Sequence, residues 1–96
     1  MNRESIMHAL KAYQDKNSNK YGILKIGIFG STAKHTSNEQ SDIDIVISLR
    51  EQDLFNLIGI KQDLEEQFHK KVDVISYRPQ MNPLLKKKID QEAMYV

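Results

Sequence analysis

Hydrophobic residues spaced three or four positions apart predict two helices in the 96-residue chain, and the residues that would begin it predict a third. These helices are predicted at residues 3–15, 54–70 and 83–92. Asn2 and Asn82 stand where the first and last of them would begin, and asparagine is a preferred N-cap residue. Pro83 strengthens the last prediction because proline is favoured at the first helical position. The polar run at residues 16–19 predicts a turn that ends the first helix.

Three short runs rich in isoleucine and valine predict β-strands. They lie at residues 21–29, 43–49 and 72–76. The predicted order is therefore helix, strand, strand, helix, strand, helix, with a polar loop over residues 32–41 that begins with at most a short helical turn. This order predicts a small sheet with helices packed on it, a mixed α/β (α+β) fold. The length suits one domain that spans residues 1–96.

The amino-acid composition argues against several classes of protein. Fourteen Lys and Arg residues against thirteen Asp and Glu residues leave a formal charge of +1, whereas dedicated nucleic-acid binders usually show a clear basic excess. We therefore expect no direct nucleic-acid binding and interpret the basic run at residues 86–88 as a solvated helix face. The absence of cysteine excludes disulfides and thiolate metal sites. No apolar run approaches the roughly 20 residues of a membrane span, and the N-terminus lacks a signal-peptide core, so we expect no membrane partner and a cytoplasmic location.

Two acidic residues open the second predicted strand. Side chains alternate along a strand, so Asp42 and Asp44 should point to one side and Ile43 to the other. Their backbones would lie roughly 6.5 Å apart, and the carboxylates could lean together onto one ion or a pair of ions. Because close carboxylates repel each other, an oxygen-seeking cation such as Mg²⁺ would stabilise the pair. The alternative is a strand start with two solvated acids.

Two further signals stand on the other predicted strands. Gly30-Ser31 directly follows the first strand, and ten residues separate Ser31 from Asp42. A glycine here would let the backbone approach a phosphate, and serine offers a hydroxyl and an N–H. Asp73 interrupts an otherwise apolar third strand, where an ionised carboxylate is costly without a partner such as a metal. A plain turn and a sheet-edge acid facing water are the alternatives, but three weak signals on three strands rarely coincide by accident.

Taken together, these residues resemble a known signature. Gly30-Ser31, ten intervening residues and Asp42-x-Asp44 match the signature of the polymerase-β-like nucleotidyltransferases. The chain looks most similar to their minimal branch, the minimal nucleotidyltransferase (MNT) antitoxins that pair with HEPN-domain toxins. The resemblance covers nearly the whole chain and includes the segment Val72-Asp73-Val74-Ile75.

One position departs from the family pattern. The family usually has a glycine two residues after the alanine that stands here as Ala33, and this chain has His35 instead. We interpret His35 as a loop residue that tolerates a backbone conformation glycine adopts easily, since histidine is enriched at positive φ. A role for His35 as metal ligand or base is the alternative.

The resemblance implies a mechanism and a set of site residues. Asp42, Asp44 and Asp73 would be the catalytic residues and would hold two Mg²⁺ ions, and Asp73 would also help to deprotonate the incoming hydroxyl. Gly30 and Ser31 would bind the β- and γ-phosphates of the nucleotide. Lys34 is a further candidate for a phosphate contact, although we interpret it as a solvated loop lysine.

The resemblance also implies an acceptor. In the MNT branch it would be a tyrosine of the cognate HEPN toxin, an RNase that is silenced by AMP transferred from ATP. A chain this short has no room for a separate acceptor-binding domain. This favours an acceptor protein that itself supplies much of the surface by which the two are recognised. Two alternatives remain: an antitoxin that neutralises its toxin by binding alone, and a free-standing transferase for a small molecule or an RNA end. The three acids favour an enzyme, because a pure binder has no need of them.

Overall fold

The computed structural model describes residues 2–34 and 42–96, which form four helices and a four-stranded sheet. The elements in chain order are α1 (Arg3–Tyr21), β1 (Ile23–Ile28), α2 (Gly30–Ala33), β2 (Ile43–Leu49), α3 (Leu54–Phe68), β3 (Val72–Ser76), α4 (Pro83–Glu92) and β4 (Met94–Tyr95). This architecture confirms the predicted mixed α/β class. In the described part of the chain, no helix is both long and apolar enough to span a bilayer.

The first helix runs further than predicted. Residues 16–19 continue α1 instead of forming a turn, so that prediction was wrong. The Asn17 side-chain amide donates to the Tyr13 carbonyl, which accommodates a polar residue inside the helix. The helix ends at Gly22, whose φ of +69° is left-handed and whose N–H donates to the Ser18 carbonyl. Glycine is the usual residue at this kind of helix end because it has no Cβ to clash.

One of the two short elements was absent from the predicted order. The four-residue helix α2 is about one helical turn, which agrees with the short turn expected at the start of the polar loop, although it begins two residues earlier, at Gly30. The two-residue strand β4 pairs antiparallel with β1, with Met94 opposite Ile28 and Tyr95 opposite Gly27. Two residues carry no hydrophobic period that could predict a strand, so β4 is a strand because it pairs with β1.

The sheet order β3-β2-β1-β4 makes β2 an inner strand. It pairs antiparallel with β1 and parallel with β3. Ile43, Ile45 and Ile47 of β2 pack in the core cluster that contains buried residues of α1 and α3. Val46 packs on the opposite face against Ile89 of α4. Because side chains alternate along a strand, Asp44 must share the α4 face with Val46.

Both predicted N-caps are confirmed. Asn2 accepts a hydrogen bond from the Ser5 N–H at 2.8 Å. Asn82 accepts from the N–H groups of Leu84 at 2.9 Å and Leu85 at 3.2 Å, with Pro83 as the first helical residue. These bonds fix where α4 begins, and α4 covers the face of the sheet that carries Asp44.

We expect Asn82→Ala to lower the free energy of unfolding by about 1 kcal/mol, because the first turn of α4 loses its side-chain acceptor. Asn82→Asp keeps an acceptor at the same position and should lose little. Urea denaturation of both variants beside the original chain measures the difference. An equal loss in both variants would show that the asparagine stabilises the protein through something other than capping.

Candidate active site

The structure brings two of the three predicted acids side by side. Asp44 on β2 lies opposite Asp73 in the parallel register with β3, and paired residues on neighbouring strands are about 4.8 Å apart at the backbone. Asp44 is half-buried and Asp73 is exposed. Asp42 lies one residue before β2 and is also exposed. Among the described residues, no three His, Asp or Glu side chains are close enough to hold one metal ion. The role of Asp42 as a ligand therefore stays a prediction.

Hydrogen bonds tie the short helix α2 and its N-cap residue Phe29 to the start of β2. The Ser31 hydroxyl donates to Oδ2 of Asp44 at 3.4 Å. The Asp44 N–H donates to the Thr32 hydroxyl oxygen at 3.0 Å, and the Asp44 carbonyl accepts from the Phe29 N–H at 3.2 Å. Thr32 is buried, and sequence reasoning assigned it no role. Its only sequence signal is its place directly after Gly30-Ser31, which does not distinguish a buried anchor from a loop residue.

Position 30 requires a glycine for two reasons, its backbone conformation and the closeness of the Asp44 carboxylate. Its φ is +61°, a region that residues with a side chain rarely adopt. A Cβ at this position would lie 2.7 Å from Oδ2 of Asp44. The sequence suggested that this glycine admits a phosphate, and the structure shows that it also admits the Asp44 carboxylate against the backbone. Gly30 and Ser31 therefore belong to the same small site as Asp44.

The pKa of the Asp44 carboxyl is raised above its ordinary value, chiefly by burial and next by the neighbouring Asp73 carboxylate. The hydrogen bond from Ser31 and the ammonium of Lys88 act in the opposite direction without cancelling the rise. Two close carboxylates under these conditions favour a cation that would balance their charge. Their all-oxygen donor set suits Mg²⁺, so Asp44 and Asp73 fit the predicted metal.

The basic residues around the site differ from their sequence interpretation. Lys34 is exposed as expected, but it pairs with Glu92 of α4 at 3.1 Å. Lys86 pairs with Asp90 at 3.3 Å. Lys88 is exposed and yet acts on the Asp44 carboxyl, so residues 86–88 are not a uniform solvated face.

His35, the departure from the family pattern, lies outside the described residues, as does the rest of the segment up to Ser41. Its interpretation as a loop residue stays a prediction.

Comparison with known proteins identifies the family. The family described as polymerase beta, nucleotidyltransferase matches residues 9–96. The chain belongs to this nucleotidyltransferase family. The enzyme class that the family resemblance implied is thereby confirmed. Asp44, Asp73 and the turn at Gly30-Ser31 are the candidate active-site residues of this nucleotidyltransferase.

Individual relatives agree with this assignment. MJ0435 of Methanocaldococcus jannaschii, a candidate protein adenylyltransferase, is 42% identical over 78 residues, covering 80% of this chain and 83% of that protein. A solved structure of a candidate minimal nucleotidyltransferase matches with a TM-score of 0.80 and 26% identity, over 98% of this chain and 95% of that chain. The resemblance to the minimal branch is thus confirmed.

The fold also matches a chain from a complex of the tri-AMPylated HEPN toxin of Shewanella oneidensis with an MNT antitoxin. The TM-score is 0.59 and the identity 21%, over 85% of this chain and 70% of that chain. At this identity the match demonstrates a shared fold alone.

Proposed function

We propose that this nucleotidyltransferase is a protein adenylyltransferase that acts as an antitoxin. It transfers AMP from ATP to a tyrosine of a cognate HEPN RNase toxin, in the cytoplasm, and residues 1–96 act as one nucleotidyltransferase domain. The observation that carries the proposal is the placement of Asp44 in register with Asp73 beside Gly30 and Ser31. The 42% identity to a candidate protein adenylyltransferase supports a protein as the acceptor.

The proposed reaction forms one bond and breaks one. The tyrosine oxygen attacks the α-phosphorus of ATP, the bond to the bridging oxygen breaks, and pyrophosphate leaves. Asp73, on the exposed edge of the site, accepts the tyrosine proton. Gly30 and Ser31 hold the β- and γ-phosphates at the turn before α2. Positioning and charge stabilisation supply most of the catalysis in reactions at phosphate.

Asp42, Asp44 and Asp73 would hold two Mg²⁺ ions in this proposal. Bound ions of this kind stabilise charge on the attacking and leaving oxygens. The raised pKa of Asp44 supports the assignment, since its carboxylate lies partly buried beside a second carboxylate and gains most from a nearby cation. Asp42 stands two residues before Asp44, and at an exposed position it can turn toward an ion bound by the other two.

We expect this chain to silence a molar excess of its toxin when ATP and Mg²⁺ are present. At a tenth of the toxin concentration, an enzyme turns over until all RNase activity is lost, whereas an antitoxin that only binds stops at about its own molar amount. Residual RNase activity is followed with time, and the mass of the toxin is measured by mass spectrometry to detect added AMP. Omission of ATP and addition of a chelator are the controls.

Three outcomes would decide between the candidate functions. Inactivation that stops at one tenth in every mixture, with no added mass, identifies an antitoxin that acts by binding alone. Loss of RNase activity with AMP on the toxin establishes the transferase. An intact, active toxin in all mixtures rejects the protein acceptor and leaves a small molecule or an RNA end as the substrate.

A further inference from the structure

We propose that Lys88 of α4 binds a phosphate oxygen of the nucleoside triphosphate and is therefore a substrate-binding residue of the transfer site. The proposal rests on the proposed function, because it assumes a triphosphate beside Asp44. The family signature does not include this position, and the sequence interpretation assigned the whole run at residues 86–88 to solvent.

The packing of α4 places Lys88 over the site. Ile89, the next residue, is buried against Phe29 and Val46 on the same face of the sheet as Asp44. Lys88 lies three residues after Leu85 and four before Glu92, so the three side chains share one side of the helix. Leu85 packs against the sheet cluster, and Glu92 reaches Lys34 at the end of α2.

Lys88 is thus one helical turn from Glu92, the residue that pairs with Lys34, and on the same side of α4 as Leu85. From this position the Lys88 ammonium is near enough to Asp44 to lower the pKa of that carboxyl. A triphosphate held at Gly30 and Ser31 would lie between α2 and the carboxylates, within the same space that the Lys88 side chain can reach.

Charge balance favours a phosphate as the partner of Lys88. Three carboxylates and a triphosphate carry more negative charge than two divalent ions neutralise, so a further cation would be stabilising. Lys34 and Lys86 each have a carboxylate partner, Glu92 and Asp90 respectively. In the described part of the chain, Lys88 forms no ion pair within 4 Å and keeps its ammonium available for a ligand. A lysine ammonium is a usual point-charge contact for phosphate.

A purely structural role of Lys88 predicts a different change in ATP affinity when Lys88 is removed. If Lys88 only offsets the charge of Asp44 and Asp73, its removal makes the carboxylates a stronger cation site and leaves the affinity for ATP with Mg²⁺ unchanged or higher. If Lys88 binds phosphate, its removal weakens the same affinity. The two roles are therefore separated by the sign of one measured change.

The test is calorimetric titration of ATP in the presence of Mg²⁺ into the original chain and three variants. We expect Lys88→Gln to raise the dissociation constant about tenfold, the loss of one charge-assisted hydrogen bond. Lys88→Arg should recover most of the affinity. Lys87→Gln is the matched control, since Lys87 is exposed in the same run and has the same charge, and it should stay within about twofold. The Tm of each variant is measured alongside and should not fall.

Each other outcome overturns a defined part of the proposal. A Lys88→Gln affinity within twofold of Lys87→Gln, or higher than that of the original chain, rejects phosphate binding by Lys88 and leaves the proposed function intact. If the original chain does not bind ATP, both the role of Lys88 and the proposed function are rejected. A tenfold loss in Lys88→Gln, combined with no AMP on the toxin, retains Lys88 as a triphosphate contact and rejects only the protein acceptor.

Discussion

Asp44→Asn should abolish nucleotide transfer, with a rate at least about a thousandfold lower, while the chain remains folded. The Asp44 carboxylate lies beside Asp73 and accepts a hydrogen bond from Ser31. Its replacement by an amide removes a negative charge from the centre of the candidate site. Asparagine preserves the shape and can still accept that bond. Transfer is measured as AMP incorporated into the acceptor, and Asp15→Asn is the control, because Asp15 is an exposed acid on α1.

The same substitution should leave the thermal stability at neutral pH unchanged or higher. The raised pKa of Asp44 means that the folded state disfavours the ionised form relative to the unfolded state. The resulting cost is present at pH values above the folded pKa and disappears as the pH falls below the ordinary value of 3.8. The advantage of Asp44→Asn in Tm should therefore be seen at pH 7 and be absent near pH 3. If the variant is unfolded, Asp44 is a structural residue. If the variant is folded and transfers normally, the Asp44 carboxylate is not needed for catalysis.

Gly30→Ala should reduce transfer by more than about a hundredfold, because displacement of a reacting group by about 1 Å can cost that much. The added Cβ would stand 2.7 Å from Oδ2 of Asp44, so either the carboxylate or the turn must move. The left-handed φ of +61° adds a backbone cost of about 1–2 kcal/mol. The measurements are the rate of AMP transfer and the free energy of unfolding.

Gly22→Ala separates these two effects. Gly22 has a similar φ of +69°, but among the described residues a Cβ there would meet Arg50 alone, at the ordinary distances of 3.5 Å to its Cβ and 3.9 Å to its backbone nitrogen. It should lose similar stability and keep its transfer activity, provided the assay runs well below both Tm values. Equal losses of activity in the two variants would assign the effect to backbone strain rather than to the contact with Asp44.

The elements with a clear local pattern were predictable from the sequence. The bounds of β2, β3 and α4 agree with the structure, because isoleucine-rich runs and the Asn82-Pro83 cap are strong local signals. The end of α1 was predicted too early, since a polar run without proline or glycine can continue a helix until Gly22 stops it. The strand β4 could not be predicted, because two residues form a strand only when β1 offers them an edge.

The sequence by itself determined the candidate chemistry of this protein: two acids at a strand start, a third in another strand, and Gly30-Ser31 separated from Asp42 by ten residues. These signals are local, and the backbone period alone orients the side chains. Only the tertiary structure decided which groups meet. The pairing of Asp44 with Asp73 depends on the register of β2 and β3, strands that the helix α3 separates along the chain.

The same reason explains the residues that sequence reasoning missed. Thr32 bonds to Asp44 across twelve positions, and the charge of Lys88 acts on the same carboxyl from a helix more than forty residues further along the chain. Neither interaction can be recognised from local hydrophobic spacing, since a buried anchor and a solvated lysine have the same neighbours in sequence. Packing of α4 on one face of the sheet, through Ile89 and Val46, is what brings them to the site.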